Sequence, residues 1–185
     1  MKREYINIPN TLSVSRGLLM PVLFAFAIFD MKTAFLIGYI LVGATDAFDG
    51  WVARTFNMKT DIGKKLDSAA DVLFYVSSAW FLQRLFPQYI LPNKYLLIVF
   101  FSLFILSFII SGIKFRKPIM MHTFLLKLNG VLVYLAVIMS FFFDTTYMIS
   151  VILFIYFAGF IEEIAIFFKY GEVDPDTSTI FSLSK

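Results

Sequence analysis

At 185 residues, with 59% hydrophobic side chains, 24 Phe and a mean hydropathy of +0.81, the chain is too apolar for a water-soluble domain. Its formal charge of +3 is modest, and the absence of cysteine excludes a disulfide framework and a thiolate metal site. Apolar windows of about 20 residues, the length that crosses a bilayer core as a helix, recur along it and predict an all-α integral membrane protein.

The opening MKREYINIPNTLS is too polar for a secretory signal and no small-residue cleavage pattern follows, so the first apolar segment, 12–30, is expected to be retained as a span. Spans at 33–54 and 64–86 come next, closed by a turn that Pro87 and Pro92 punctuate. Spans at 94–113, 123–143 and 146–168 follow, separated by Pro118 and by Asp144. With a cytoplasmic N-terminus, these six spans put thirteen of the 16 basic residues on the inner side and only Lys32, Arg84 and Lys94 outside. That is the positive-inside pattern, so both termini are expected in the cytoplasm. No internal repeat or separate soluble domain is evident, and 1–185 reads as one domain. The polar tail from Gly171 to Lys185 reads as a loosely ordered end.

Four acids interrupt this apolar chain. Asp46 and Asp49 lie three residues apart at the inner end of span two, and Gly50 and Ala53 continue their helical face. Asp67 and Asp71 lie four apart on one face of span three. The loop TFNMKTDIGKK between them reverses the chain and brings the two acidic faces together at the cytoplasmic side. A lone acid near a helix end is commonly a solvated, salt-bridged face. Four converging carboxylates would lose hydration and repel one another, which is costly without compensating charge. Arg54, Lys64 and Lys65 offer part of it, and one or two divalent cations offer the rest. Oxygen donors without His or Cys suit Mg²⁺ or Mn²⁺.

The run Asp46-x₂-Asp49-Gly50-x₂-Ala53-Arg54-x₈-Gly63-x₃-Asp67-x₃-Asp71 resembles the signature of the CDP-alcohol phosphotransferases at eight positions. The opening Asn7-Ile8-Pro9-Asn10-Thr11, the six spans and the chain length share in the resemblance. It implies attack by an alcohol hydroxyl on the lipid-side phosphorus of a CDP-linked lipid such as CDP-diacylglycerol, with CMP leaving. By the same resemblance Asp46 and Asp67 bridge two Mg²⁺ or Mn²⁺ ions, Asp49 and Asp71 complete their shells, and Asp71 takes the proton of the attacking hydroxyl. Gly50, Ala53 and Gly63 would make room for the cytidine, Arg54 would hold the diphosphate, and Thr60 with the Asn10–Ser13 segment would line the nucleotide pocket. The family also implies a homodimer, and a bacterial or archaeal cell membrane, with the site at its cytoplasmic face, is the expected location. No nucleic-acid partner is expected.

The acceptor is less defined. The start NIPNTLSVSRGLLMP resembles the phosphatidylglycerophosphate synthases, which points to glycerol 3-phosphate. The end of the motif departs from them: Ser68 follows Asp67 and Val72 follows Asp71, where those enzymes carry Pro and Lys. Their Arg-Glu pair in span four is missing as well. Inositol phosphate, inositol and serine therefore stand as alternatives. Lys114, Arg116, Lys117 and Lys127 are candidates for an acceptor phosphate. The Lys114–Lys117 cluster reads equally as a contact for anionic lipid. Arg16 and Lys127, both inside apolar segments, either snorkel to the interface or reach into a cavity. His122 reads as an interfacial hydrogen-bonding residue and Trp51 and Tyr75 as packing residues. One of Glu162 and Glu163 would pair with a base and close the bundle. A divalent-cation transporter is the rival from another class, disfavoured because spans four to six lack an acidic series to carry an ion onward.

Overall fold

The structure, a computed structural model, describes residues 8–55, 60–119 and 121–183, with their side chains except those of 8–10, 46–54, 61, 62, 64, 65 and 68. The described residues form helices and no strand. The six long helices are α1 (Ile8–Ile28), α2 (Lys32–Thr55), α3 (Asp61–Leu85), α4 (Lys94–Phe115), α5 (Phe124–Met139) and α6 (Thr146–Tyr170). Between α3 and α4 lie a single helical turn, Pro87–Ile90, and a 3₁₀ turn, Leu91–Asn93; a second 3₁₀ turn, Ile180–Leu183, ends the described chain. Among the described residues, three segments are long and apolar enough to cross a membrane: Thr11–Ile28, Pro87–Phe115 and Thr146–Tyr170. Lys32–Thr45 and Phe124–Met139 are apolar but shorter. The chain divides into two compact units, Met1–Pro87 and Gln88–Lys185.

In the first unit α1 begins at Ile8, four residues before the expected 12, because Pro9 fits the first turn of a helix, where its missing N–H has no partner to lose. The buried stripe of α1 is Ser13, Arg16, Met20, Leu23 and Ala27, spaced alternately by three and four residues. It packs on α2 and α3. Gly38 of α2 admits Leu23 so closely that an added Cβ would lie 2.9 Å from its Cδ2. Tyr39 stacks on Phe35 and Phe74, and its hydroxyl meets Ser78 Oγ at 2.8 Å, satisfying a buried pair across α2 and α3. Arg84 Nη2 donates to the Ile28 carbonyl at 3.0 Å, capping the end of α1.

In the second unit Asn93 is the polar hub. It is buried, donates through Nδ2 to the carbonyls of Tyr89 and Thr146, at 3.2 and 3.0 Å, and accepts from Ser150 Oγ at 2.6 Å. These bonds tie the starts of α4 and α6 together. Further along, Phe100 and Phe104 pack on Tyr156 and Phe160. Helix α5 ends at Met139 rather than near 143: Ser140 Oγ lies 2.7 Å from the Ala136 carbonyl it donates to and 2.6 Å from Thr145 Oγ1, so the turn is drawn in early.

The tail differs from the expectation of a loose end. Val173, Ile180 and Leu183 pack against Ile119, Met121, Ile166 and Phe167. The amides of His122 and Phe124 donate to the carbonyls of Pro175 and Ser178, both at 2.8 Å. Glu162 Oε1 accepts from Thr179 Oγ1 at 2.7 Å and from the Ile180 amide at 2.9 Å. Three spaced apolar side chains and one acid acceptor hold a segment whose composition is otherwise polar.

Candidate functional site

The first unit gathers the acids of α3. Thr60 caps this helix: its Oγ1 accepts from the Gly63 amide at 3.0 Å, so two of the nucleotide-pocket candidates are joined by the bond that starts the helix. One and two turns further on, Asp67 and Asp71 point at a single partner. Arg16 Nη1 donates to Asp71 Oδ1 at 2.6 Å, and Nη2 stands 3.6 Å from Asp67 Oδ1. The arginine side chain is 1% exposed, while those of Asp71 and Asp67 are 21% and 44% exposed. A guanidinium taken out of water must be paired, and its planar fork suits two carboxylates one helical turn apart. Arg16 therefore turns inward, and the interfacial alternative does not describe it. Ser13, one turn earlier on the same stripe, is buried too.

The side chains of Asp46, Asp49, Gly50, Ala53, Arg54 and Asn10 lie outside the described residues, as do those of Trp51, Lys64, Lys65 and Ser68; the backbone of 46–54 is helical. Among the described residues no group of three or more His, Cys, Asp or Glu side chains could hold a metal ion. Asp67 and Asp71 nonetheless supply two carboxylates close enough to share one cationic group, and their oxygens are the hard donors that Mg²⁺ and Mn²⁺ prefer. As far as it is described, the donor set fits such an ion.

The four acceptor candidates lie in the second unit and have separate surroundings. Lys114 Nζ donates to the Phe167 carbonyl at 2.6 Å, in the last turn of α6, where carbonyls lack helical donors and a cation is favoured. Arg116 is exposed and left-handed, with φ 56°, and terminates α4. Lys127 is exposed and pairs with Asp176 of the tail at 3.3 Å. Lys117 pairs with Glu172 in the same way. Glu163 is buried and accepts from the Met121 amide at 2.9 Å. The bonds described for Glu162 and Glu163 thus come from amides and a hydroxyl, where a basic partner was expected. His122 is part-buried; burial lowers its pKa from 6.5, Asp176 opposes the shift and Lys127 adds to it. Tyr75 packs edge-on against Phe74, as expected of a packing residue. The sequence reading missed the tail acids Asp176 and Glu172 as partners of the basic candidates, because nothing local links residues about fifty positions apart.

Apolar segments of membrane-crossing length, and an arginine buried against two motif acids in the first unit, together describe a membrane protein that carries a charged site. The chain belongs to the CDP-alcohol phosphatidyltransferase family, whose model matches residues 6–161. It is an integral membrane protein. It is similar to the CDP-diacylglycerol--glycerol-3-phosphate 3-phosphatidyltransferase of Rickettsia bellii (strain RML369-C), 37% identical over 70 residues, which are 36% of this chain and 39% of that protein. The protein of the same name from Aquifex aeolicus (strain VF5) is 36% identical over 69 residues, 37% of this chain and 39% of its own length. The CDP-diacylglycerol--inositol 3-phosphatidyltransferase 1 of Arabidopsis thaliana is 42% identical over 67 residues, 36% of this chain and 29% of that protein. The chain thus spans well under half the length of these relatives.

Proposed function

We propose that the chain is a membrane-embedded transferase that moves the phosphatidyl group of CDP-diacylglycerol, or a related CDP-linked lipid, onto a small polar alcohol. The observation that carries this reading is the convergence of Asp67 and Asp71, two acids of the family motif, on one buried guanidinium. The acceptor oxygen bonds to the lipid-side phosphorus, the phosphorus–oxygen bond to CMP breaks, and the hydroxyl proton passes to Asp71. Asp46, Asp49, Asp67 and Asp71 would hold two Mg²⁺ or Mn²⁺ ions, which when bound neutralise the diphosphate and steady the departing CMP. Gly50, Ala53, Arg54, Gly63 and Thr60 would receive the nucleotide, with Asn10 and Ser13 beside it.

Glycerol 3-phosphate is the acceptor we place first, supported by the names of the Rickettsia and Aquifex proteins. Inositol is the second reading, supported by the Arabidopsis protein. Of the basic candidates we keep Lys127 for an acceptor phosphate, because its partner is an exposed carboxylate that a phosphate could replace. We read α1 to α6 as six crossings of one domain with both termini cytoplasmic, supported by the distribution of basic residues and by a family model that runs across both compact units. The active protein would be a homodimer in a bacterial or archaeal cell membrane, its site on the cytoplasmic side.

The test is CMP release by the purified protein, given CDP-diacylglycerol, Mg²⁺ or Mn²⁺ and one acceptor at a time: glycerol 3-phosphate, inositol 1-phosphate, inositol or serine. Metal-dependent release with glycerol 3-phosphate is expected. No release with any acceptor, together with Mn²⁺ uptake into liposomes carrying the protein, would replace this reading with cation transport.

A further inference from the structure

Arg16 stands out among the charged groups because it is buried in an apolar helix and its two described partners belong to the proposed ligand set. We propose that Arg16 is the resident counter-cation of the acidic site: it holds Asp67 and Asp71 while no divalent ion is bound, and ion binding proceeds by exchange against its guanidinium. The inference rests on the reading of these acids as metal ligands.

Placement comes first. Arg16 lies on the stripe of α1 that also buries Ser13, Met20, Leu23 and Ala27, so its side chain starts out towards α3 rather than towards lipid. Once there, it has no route to water and must be neutralised by what it meets. Geometry comes second. Nη1 occupies Oδ1 of Asp71 and Nη2 faces Oδ1 of Asp67. A cation that binds through these Oδ1 atoms meets the guanidinium there, and guanidinium and ion then compete for one place. Charge decides the competition. Arg16 brings these two acids one positive charge, and a divalent ion brings two. A divalent ion satisfies both acids, and its repulsion for Arg16 is twice that of a monovalent ion at equal distance. The guanidinium must therefore yield Asp71, and metal affinity is set by the difference between the two bound states. Arg16 acts here as a positioning residue, with no contact to the reacting atoms required.

A purely structural bridge between α1 and α3 makes a different prediction, since neutralising it would leave the ion's affinity unchanged or, by loosening the acids, weaken it. The experiment uses the full chain in detergent with Mn²⁺ alone as probe, free Mn²⁺ being read by electron paramagnetic resonance. Arg16→Met and Arg16→Gln are expected to bind Mn²⁺ about tenfold more tightly than wild type, because the competing charge is gone. Arg16→Lys keeps the charge and is expected to stay within about threefold of wild type. Unchanged or weaker binding by the neutral variants overturns the proposal. If those variants do not fold, wild type carrying ¹⁵N-labelled arginine decides the question: saturating Mg²⁺ must move the guanidinium resonance of Arg16, and a resonance that stays in place overturns the exchange. Wild type that binds no Mn²⁺ while releasing CMP overturns the metal reading beneath it. Bound Mn²⁺ with equal affinity in all variants overturns only the role of Arg16.

Discussion

Asp71→Asn is the obvious probe of the proposed proton acceptor, and the structure predicts that it also disturbs folding. The substitution leaves Arg16, 1% exposed, without the charge 2.6 Å away. Breaking a fully buried pair by removing one partner costs about 3–5 kcal/mol. Two features reduce that figure here: Asp67 remains at 3.6 Å, and Asp71 is itself 21% exposed and partly hydrated in the native state. We expect a loss of about 2 kcal/mol, in the range measured for coupled neighbours. For a chain of this size that lowers Tm by roughly 4–8 °C. Arg16→Met should cost less, since the acids it releases can hydrate. The double variant should then be more stable than the sum of the single losses by about 2 kcal/mol. Thermal unfolding in detergent without divalent ions, followed by intrinsic fluorescence, measures all four corners of the cycle. Additive losses, within about 0.5 kcal/mol, would show that the two side chains do not interact and would remove the basis for the counter-cation. Loss of CMP release by Asp71→Asn counts as evidence for the proton acceptor only after this folding effect has been separated from it.

Asn93→Ala deletes three hydrogen bonds at a buried hub and should destabilise the second unit by about 2–3 kcal/mol, read by the same unfolding assay; a Tm within about 1 °C of wild type would contradict the hub. Glu162→Ala removes the acceptor shared by Thr179 and Ile180 and should speed amide exchange across 173–183 while α6 stays protected; unchanged exchange in the tail would show that the acid does not hold it. His122 favours its neutral form when folded, since burial lowers its pKa from 6.5. Above that value both states are neutral and nothing is gained. As pH falls below it the unfolded chain takes up the proton first, so stability declines, and His122→Gln should flatten the decline. A slope that survives the substitution would assign it to another group. Lys127→Ala should raise KM for glycerol 3-phosphate more than for CDP-diacylglycerol, and an effect confined to the lipid would remove Lys127 from acceptor binding.

Much of the helical plan was legible because each long apolar run is bounded by turn chemistry: Pro87 and Pro92 after α3, Pro118 after α4 and Asp144 after α5 fall in or beside the observed breaks. The boundaries moved where local bonds beat composition, as at Ser140, whose hydroxyl ends α5 before its apolar run is over. Polar composition misled at the tail, where the weight of Asp, Ser and Thr hides the spacing of Val173, Ile180 and Leu183. The lysine cluster misled in another way. In sequence Lys114 forms one basic patch with Arg116 and Lys117, yet it serves a carbonyl of Phe167, a partner that only the packing of α4 on α6 supplies.

The site shows how far a single charged residue in an apolar helix can be read. Arg16 and Lys127 pose the same choice in sequence, and their neighbours separate them. Arg16 shares its stripe with Ser13, Met20, Leu23 and Ala27, all buried, so its charge is carried into the first unit and must find acids there. Lys127 shares its stripe with Phe124, Leu128, Val131 and Leu135, all exposed, so α5 turns it away from the core of the second unit and its partner comes from the tail instead. The period is visible in the sequence, but which stripe faces inward is not, because in an apolar helix every face is hydrophobic and amphipathicity no longer marks the core. Only packing between helices breaks that degeneracy. It follows that a basic side chain in such a helix is informative about chemistry when the small and polar residues one turn away, Ser13 for Arg16, are buried with it.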